Sequence, residues 1–154
     1  MSTGVPAATT IRIPGDARVA IVAARFNGAI VDEMLAGCLQ QLKVLGLAGD
    51  RIDVHHVPGA FELPLAAKLL AVSRQFSAVI CLGCVIRGDT PHFEYVAGEC
   101  ARGVMDVSLS ETLPVIFGVL TTETEQQARD RISTGQRSAD AAAEMIALRA
   151  RLQD

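Results

Sequence analysis

Four short runs of aliphatic and β-branched residues recur along the chain, and helical periodicity fills the intervals between them. That alternation constrains the fold more than any other feature. The runs cover residues 19–24 (VAIVAA), 52–57 (IDVHHV), 78–85 (AVICLGCV) and 115–120 (VIFGVL). Runs this short and this apolar suit strands buried on both faces. After the first run, Ile30, Val31, Met34, Leu35, Cys38, Leu39, Leu42 and Leu45 recur every three or four residues. A helix is expected over 30–45, with Gly46 as its stop signal. Further helices are expected over 63–72, 93–109 and 139–152, and a shorter one over 125–131. Strands alternating with helices imply βαβ units and a parallel sheet. One α/β domain over 1–154 is expected, a four-stranded parallel sheet flanked by helices in three layers, with residues 1–15 as an N-terminal arm.

Composition narrows the function classes. The 154 residues are 50% hydrophobic and 20% charged, which argues against a disordered chain. Lys and Arg number 14 against 17 Asp and Glu, a net charge of −3, and aromatic residues make up 4%. A chain without a basic surplus or stacking rings is a poor partner for nucleic acid. Mean hydropathy is +0.33, yet no stretch reaches the roughly 18 apolar residues of a membrane span. So apolar a chain either fills its core unusually well or buries surface against copies of itself. The start Met1-Ser2-Thr3-Gly4 does not read as a secretory signal. Cys38, Cys81, Cys84 and Cys100 are therefore expected as free thiols in a cytoplasmic protein.

In parallel α/β sheets, ligands bind beyond the carboxyl ends of the strands. The segments to inspect are Arg25-Phe26-Asn27-Gly28, residues 58–62, residues 86–92 and Thr121-Thr122-Glu123. Thr90-Pro91 reads as an N-cap followed by proline at the first helical position. Gly88 lets backbone approach a ligand, and free N–H groups at a helix start attract phosphate. His92 falls in that first turn, and histidine is the side chain that both gives and takes a proton near neutral pH. Asp89 fits only if its carboxylate turns to solvent. Arg87, Arg129, Arg131 and Arg137 are the candidate cationic partners of an anion. Glu62 can accept hydrogen bonds from a ligand, and Phe26 can stack on a planar ring.

Each of these features also has a structural reading. Thr90 and His92 suit an ordinary helix cap, Glu62 suits a helix start, and Phe26 suits a core rim. Cys81-Leu82-Gly83-Cys84 has the CxxC spacing, but lacks a second ligand pair for zinc and lies within a strand run rather than at a helix start. His55 and His56 are adjacent in a strand and point to opposite faces, so they cannot share a metal there. No P-loop and no G-x-G-x-x-G occurs.

Taken together, four segments closely resemble the lumazine synthase family: Arg25-Phe26-Asn27; VPGAFELPLA at 57–66; LGCVIRGDTPHFEYV at 82–96; and PVIFGVLTT at 114–122. They occur in family order. The resemblance implies a flavodoxin-like arrangement of the sheet. It also implies an enzyme, a transferase of riboflavin biosynthesis. The reaction condenses 5-amino-6-(D-ribitylamino)uracil with 3,4-dihydroxy-2-butanone 4-phosphate, without metal or organic cofactor. On this resemblance Phe26 stacks on the pyrimidine, with Asn27 beside it. Ala60, Phe61 and Glu62 line the ring and ribityl pocket. Cys84, Val85 and Ile86 hold the ring edge through backbone groups. Gly88, Asp89 and Thr90 hold the phosphate, Arg131 pairs with it, and His92 shuttles protons.

The resemblance extends to the assembly. Phe117 reaches a neighbouring subunit's site in a homo-oligomer, which is a pentamer, decamer or 60-subunit shell. The two small-molecule substrates are then the other partners, with no nucleic acid and no membrane. The family usually carries a lysine in a Gly-Asn-Lys-Gly-like run after the arginine. Here the segment after Arg131 is short, no lysine follows Lys68, and Arg137 is the nearest cation. That departure motivates an alternative, a catalytically weak lumazine- or flavin-binding shell protein.

Overall fold

A computed structural model describes residues 4–153; of the expected N-terminal arm, residues 1–3 lie outside the described residues. Four strands form one parallel sheet: β1 (Val19–Ala24), β2 (Ile52–Val57), β3 (Ala78–Ile86) and β4 (Val115–Thr122). Their spatial order is β2-β1-β3-β4. Val19 of β1 sits opposite both Ile52 and Ala78, and Ile86 of β3 opposite Thr122 of β4. Five helices connect and follow the strands: α1 (Gly28–Val44), α2 (Leu63–Val72), α3 (His92–Glu111), α4 (Glu125–Arg129) and α5 (Thr134–Gln153). Among the described residues no helix is long and apolar enough to cross a membrane.

The period of two in the strands divides the core into two layers. Val19, Ile21 and Ala23 of β1 join Ile80 and Leu82 of β3 beneath α1 and α5, where Ile30, Met34, Leu42, Ala142 and Ile146 pack. Ala20 and Val22 face the other way with Val79 and Cys81, under Leu63 and Ala67 of α2 and Cys100 and Val104 of α3. Burial on both faces explains why β1 and β3 read as continuous apolar runs. β2 differs. It is an edge strand, and Val54, His55 and His56 are exposed. Ile13 is buried ahead of β1, and its N–H donates to the Leu45 carbonyl at 2.8 Å.

Several helix ends shift by one or two residues from expectation, and two starts differ for a physical reason. α5 begins at Thr134, five residues before 139. Thr134-Gly135-Gln136-Arg137-Ser138 reads as a polar loop, but Gly135 packs directly on the backbone of Met34 in α1 and the Ser138 hydroxyl donates to the Thr134 carbonyl at 2.7 Å. Tertiary contact overrides weak local propensity. At α3 the cap position is Pro91, not Thr90, and the helix starts at His92. The Thr90 hydroxyl accepts only a long bond, 3.4 Å, from the His92 N–H. α1 ends as expected, with Gly46 at φ +104° and the Leu47 N–H returning to the Leu42 carbonyl at 3.0 Å.

The α1–α5 contact supplies a stability test. A β-carbon at Gly135 would collide with the Met34 carbonyl, whereas one at Gly98, in α3, would meet nothing within 4 Å. Gly135→Ala is expected to lower unfolding free energy by about 1–3 kcal/mol, the usual cost of overpacking. Gly98→Ala is expected to raise it by about 0.5–1 kcal/mol. Urea denaturation of the two variants beside the parent chain measures both.

Candidate active site

Because all four strands run parallel, their carboxyl ends open on one edge of the sheet. There β1, leading to α1, and β3, leading to α3, diverge around a cleft of about 570 Å³. The pairing of β1 with β2 continues past β1 itself. The Arg25 N–H donates to the Val57 carbonyl at 2.9 Å, and the Phe26 N–H to the Pro58 carbonyl at 3.1 Å. This fixes the backbone that presents Phe26, a residue 73% exposed. Gly59 lies beneath that ring, and a β-carbon there would come within 3.3 Å of Phe26 Cδ2. The absent side chain thus keeps room for the aromatic face.

Asn27 turns the chain from β1 into α1 in the left-handed conformation, φ 55° and ψ 43°. Asparagine tolerates that region better than most residues. Its carbonyl accepts from the Ile30 and Val31 N–H groups, and its side-chain Nδ2 donates 2.8 Å to the Cys84 carbonyl at the end of β3. One residue therefore closes a helix start and ties the two lips of the cleft together. Opposite, a short 3-10 turn (Ala60–Glu62) leads into α2 and brings Ala60, Phe61 and Glu62 to the wall. Val85 and Ile86 continue the floor from β3, and His92, Tyr95 and Val96 close it from the first turns of α3.

The walls combine apolar surface with a few polar groups and exposed aromatic rings, Phe61 at 58% and Tyr95 at 69%. That is the make-up of a pocket for a small organic ligand. Phe26, Asn27, Ala60 to Glu62, Cys84 to Ile86 and His92 all meet here, although they come from four segments of the chain. Gly88, Asp89 and Thr90 form an exposed turn joining β3 to α3, beside the cleft rather than in its lining. Arg131 is exposed just after α4, and its Nη1 donates to the Gln127 carbonyl at 2.8 Å.

Phe117 lies elsewhere. It pairs with Cys81 as the third residue of β4, and it lines a separate groove of about 280 Å³ with Ile116, Thr134, Arg137 and Ser138. Arg137 is held there by bonds to the Ser133 and Thr134 hydroxyls at 3.2 and 3.0 Å. Gly59, Tyr95 and Val96 line the cleft without having been singled out as site residues. The spacing held a signal for two of them, since positions 95 and 96 follow His92 at i+3 and i+4 on one helix face.

All four cysteines are free and buried. Burial pushes the thiol of Cys38 up to about 12 and that of Cys100 up to about 11. Cys81 is raised further by burial and then by Cys100, and Cys84 by burial and then by Glu125. These are inert protonated thiols rather than nucleophiles or metal ligands. Among the described residues no three His, Cys, Asp or Glu side chains converge as a metal shell would.

Comparison with known proteins follows the same lines. The family model described as 6,7-dimethyl-8-ribityllumazine synthase matches residues 16–150. A curated relative from Protochlamydia amoebophila (strain UWE25), named 6,7-dimethyl-8-ribityllumazine synthase, is 47% identical over 137 residues, covering 86% of this chain and 80% of its own.

The thiols give this geometry a pH test. Because the folded state holds their protons more tightly than the unfolded chain, their contribution is complete below about pH 9 and is lost as pH rises toward 11–12. Urea midpoints under reducing conditions should fall between pH 9 and 11, and fall less in Cys38→Ala than in the parent.

Proposed function

The chain belongs to the 6,7-dimethyl-8-ribityllumazine synthase family, and from that premise we propose how its cleft performs the family's reaction. The enzyme is a transferase of riboflavin biosynthesis. It condenses 5-amino-6-(D-ribitylamino)uracil with 3,4-dihydroxy-2-butanone 4-phosphate to 6,7-dimethyl-8-ribityllumazine, releasing phosphate and water. The observation that carries the reading is convergence: an exposed aromatic face at Phe26, a carboxylate at Glu62 and an imidazole at His92 line one cleft, though they lie far apart in sequence. Membership of the family favours this reading over a catalytically weak shell protein.

In this reading the pyrimidine stacks on Phe26 with its edge along the backbone of Cys84 to Ile86. Glu62 accepts hydrogen bonds from the ribityl hydroxyls, while Ala60 and Phe61 close the pocket. The phosphorylated butanone lies toward the turn formed by Gly88, Asp89 and Thr90. The uracil amine attacks the ketone, and water leaves to give an imine. Phosphate is then eliminated, the ribitylamino nitrogen closes the second ring, and a second water departs. Each stage moves a proton, and His92 takes and returns it. Arg131 and the turn N–H groups balance the charge that grows on the departing phosphate. Much of the acceleration comes from holding two slow reactants in register.

Phe117 completes the pocket of the adjoining subunit in this scheme. Its place outside its own chain's cleft supports that role, as does the exposure of Leu65, Leu69, Met105 and Leu109 on the outer helices. A homo-oligomer follows, and a pentamer or a multiple of it is the assembly proposed. Four unpaired thiols support a cytoplasmic setting.

Purified protein mixed with both substrates should form the lumazine chromophore faster than the uncatalysed solution; an unchanged rate would discard the reading. His92→Ala should slow turnover by about 100-fold or more while inorganic phosphate still binds. A parental rate in that variant removes His92 from the chemistry. Unfolding and refolding equal amounts of His92→Ala and Phe117→Ala together should restore about a quarter of the parental activity, since half the sites take each intact residue at random. Recovery no greater than the average of the two variants assigns both residues to one chain's site.

A further inference from the structure

β3 outruns its pairing with β1. The last paired residues are Ala23 and Leu82, yet β3 continues to Ile86. Along β3 the Val79 N–H donates to the Pro114 carbonyl and the Arg87 N–H to the Thr122 carbonyl, so odd-numbered residues turn their backbone groups toward β4. Even-numbered residues, Cys84 and Ile86 among them, present theirs toward β1. In a continued ladder the Phe26 N–H would donate to the Cys84 carbonyl. Phe26 gives that N–H to the Pro58 carbonyl instead, at 3.1 Å. Asn27 Nδ2 takes the vacated place and donates to the Cys84 carbonyl at 2.8 Å.

This side chain does not serve α1. An asparagine before a helix ordinarily turns its side-chain oxygen to the N–H groups of the first turn. The Asn27 side chain makes no such bond. The helix start rests on its main-chain carbonyl, which accepts from Ile30 and Val31. The far edge of β3 has its own fastening. There the strand remains paired with β4 as far as Ile86 and Thr122, and the Arg87 side chain adds ion pairs to Glu94 and Glu123. On the cleft edge, Asn27 stands where a strand would.

We propose that Asn27 is a positioning residue for the pyrimidine: its amide supplies the rung that β1 gives up, and so holds the Ile86 N–H and carbonyl as the next, open rung for the edge of the ring. The inference rests on the placement of the uracil along β3 proposed above. Phe26, Asn27, Cys84 and Ile86 all line the cleft. Asn27 acts through Cys84 rather than as a ligand, because its donor group is already engaged by that carbonyl. The same step that gives the Phe26 N–H to Pro58 carries the aromatic face over the cleft, and Asn27 closes the gap that this step leaves in the ladder.

The test compares Asn27→Gly and Asn27→Asp with the parent chain. Glycine accepts the left-handed backbone and removes the amide, while aspartate keeps the shape and replaces the donor with an acceptor. Both variants should raise KM for the uracil by about tenfold and lower kcat, with KM for the phosphorylated substrate held within about twofold. As pH falls and the new carboxylate takes up a proton, Asn27→Asp should recover uracil affinity, because a carboxylic acid donates again; Asn27→Gly should not. Amide hydrogen exchange in the absence of substrate reads the ladder independently of the assigned reaction. In both variants residues 84–87 should exchange at least about tenfold faster while 78–81 do not change. A raised KM for the uracil with unaltered exchange makes Asn27 a direct ligand and overturns the proposal. Faster exchange or a lowered Tm with both KM values unchanged overturns it equally, as a merely structural role. Unaltered exchange at 84–87 refutes the surrogate rung even in a preparation that shows no turnover.

Discussion

β1 is hydrogen-bonded in parallel along both edges, to β2 and to β3, and the upper edge of the sheet is organised by that pairing. Parallel strands release the chain at the same end. After β1 the chain passes to α1, over one face, and after β3 it passes to α3, over the other. Two helices leaving adjacent strands in opposite directions necessarily part, and the cleft is the space between them. Asn27 spans that gap at its base. It adopts a backbone conformation few residues accept, and its amide reaches the last buried carbonyl of β3. Sheet topology thus creates the opening, and one short polar side chain sets its width.

Much of this was legible in the sequence because burial on both faces is a strong signal. β1 and α2 coincide with their expected limits, and so does β2 although it lies at the sheet edge. The start of α5 was not legible. Its first turn is Thr-Gly-Gln-Arg-Ser, whose helicity comes from the approach of Gly135 to Met34, more than ninety residues distant in the chain. Cleft residues after β1, in the 3-10 turn, at the end of β3 and at the start of α3 were legible from their positions at or beyond strand ends. Tyr95 was less so, since an aromatic at helical spacing normally faces a core and this one faces outward.

The separation of the candidate residues into two regions has a physical basis. Residues at strand ends converge because the strands do. Phe117 is the third residue of β4, an edge strand, on the same face as Val115 and Val119, so it borders a groove at the sheet edge rather than the cleft at the strand ends. Arg87 shows a different economy. Isolated surface ion pairs contribute about 0–1 kcal/mol each, so an arginine shared by two acids does little for global stability. What it can set is local geometry, because one rigid plane joins the first turn of α3 to the turn after β4.

Gly59 beneath Phe26 has a thermodynamic corollary. With no side chain to shield it, the ring stays in water along with those of Phe61 and Tyr95. An incoming heterocycle sheds that hydration together with its own. Occupancy should therefore carry a negative heat-capacity change, and affinity should weaken on cooling toward freezing as the aqueous penalty for bare aromatic surface declines.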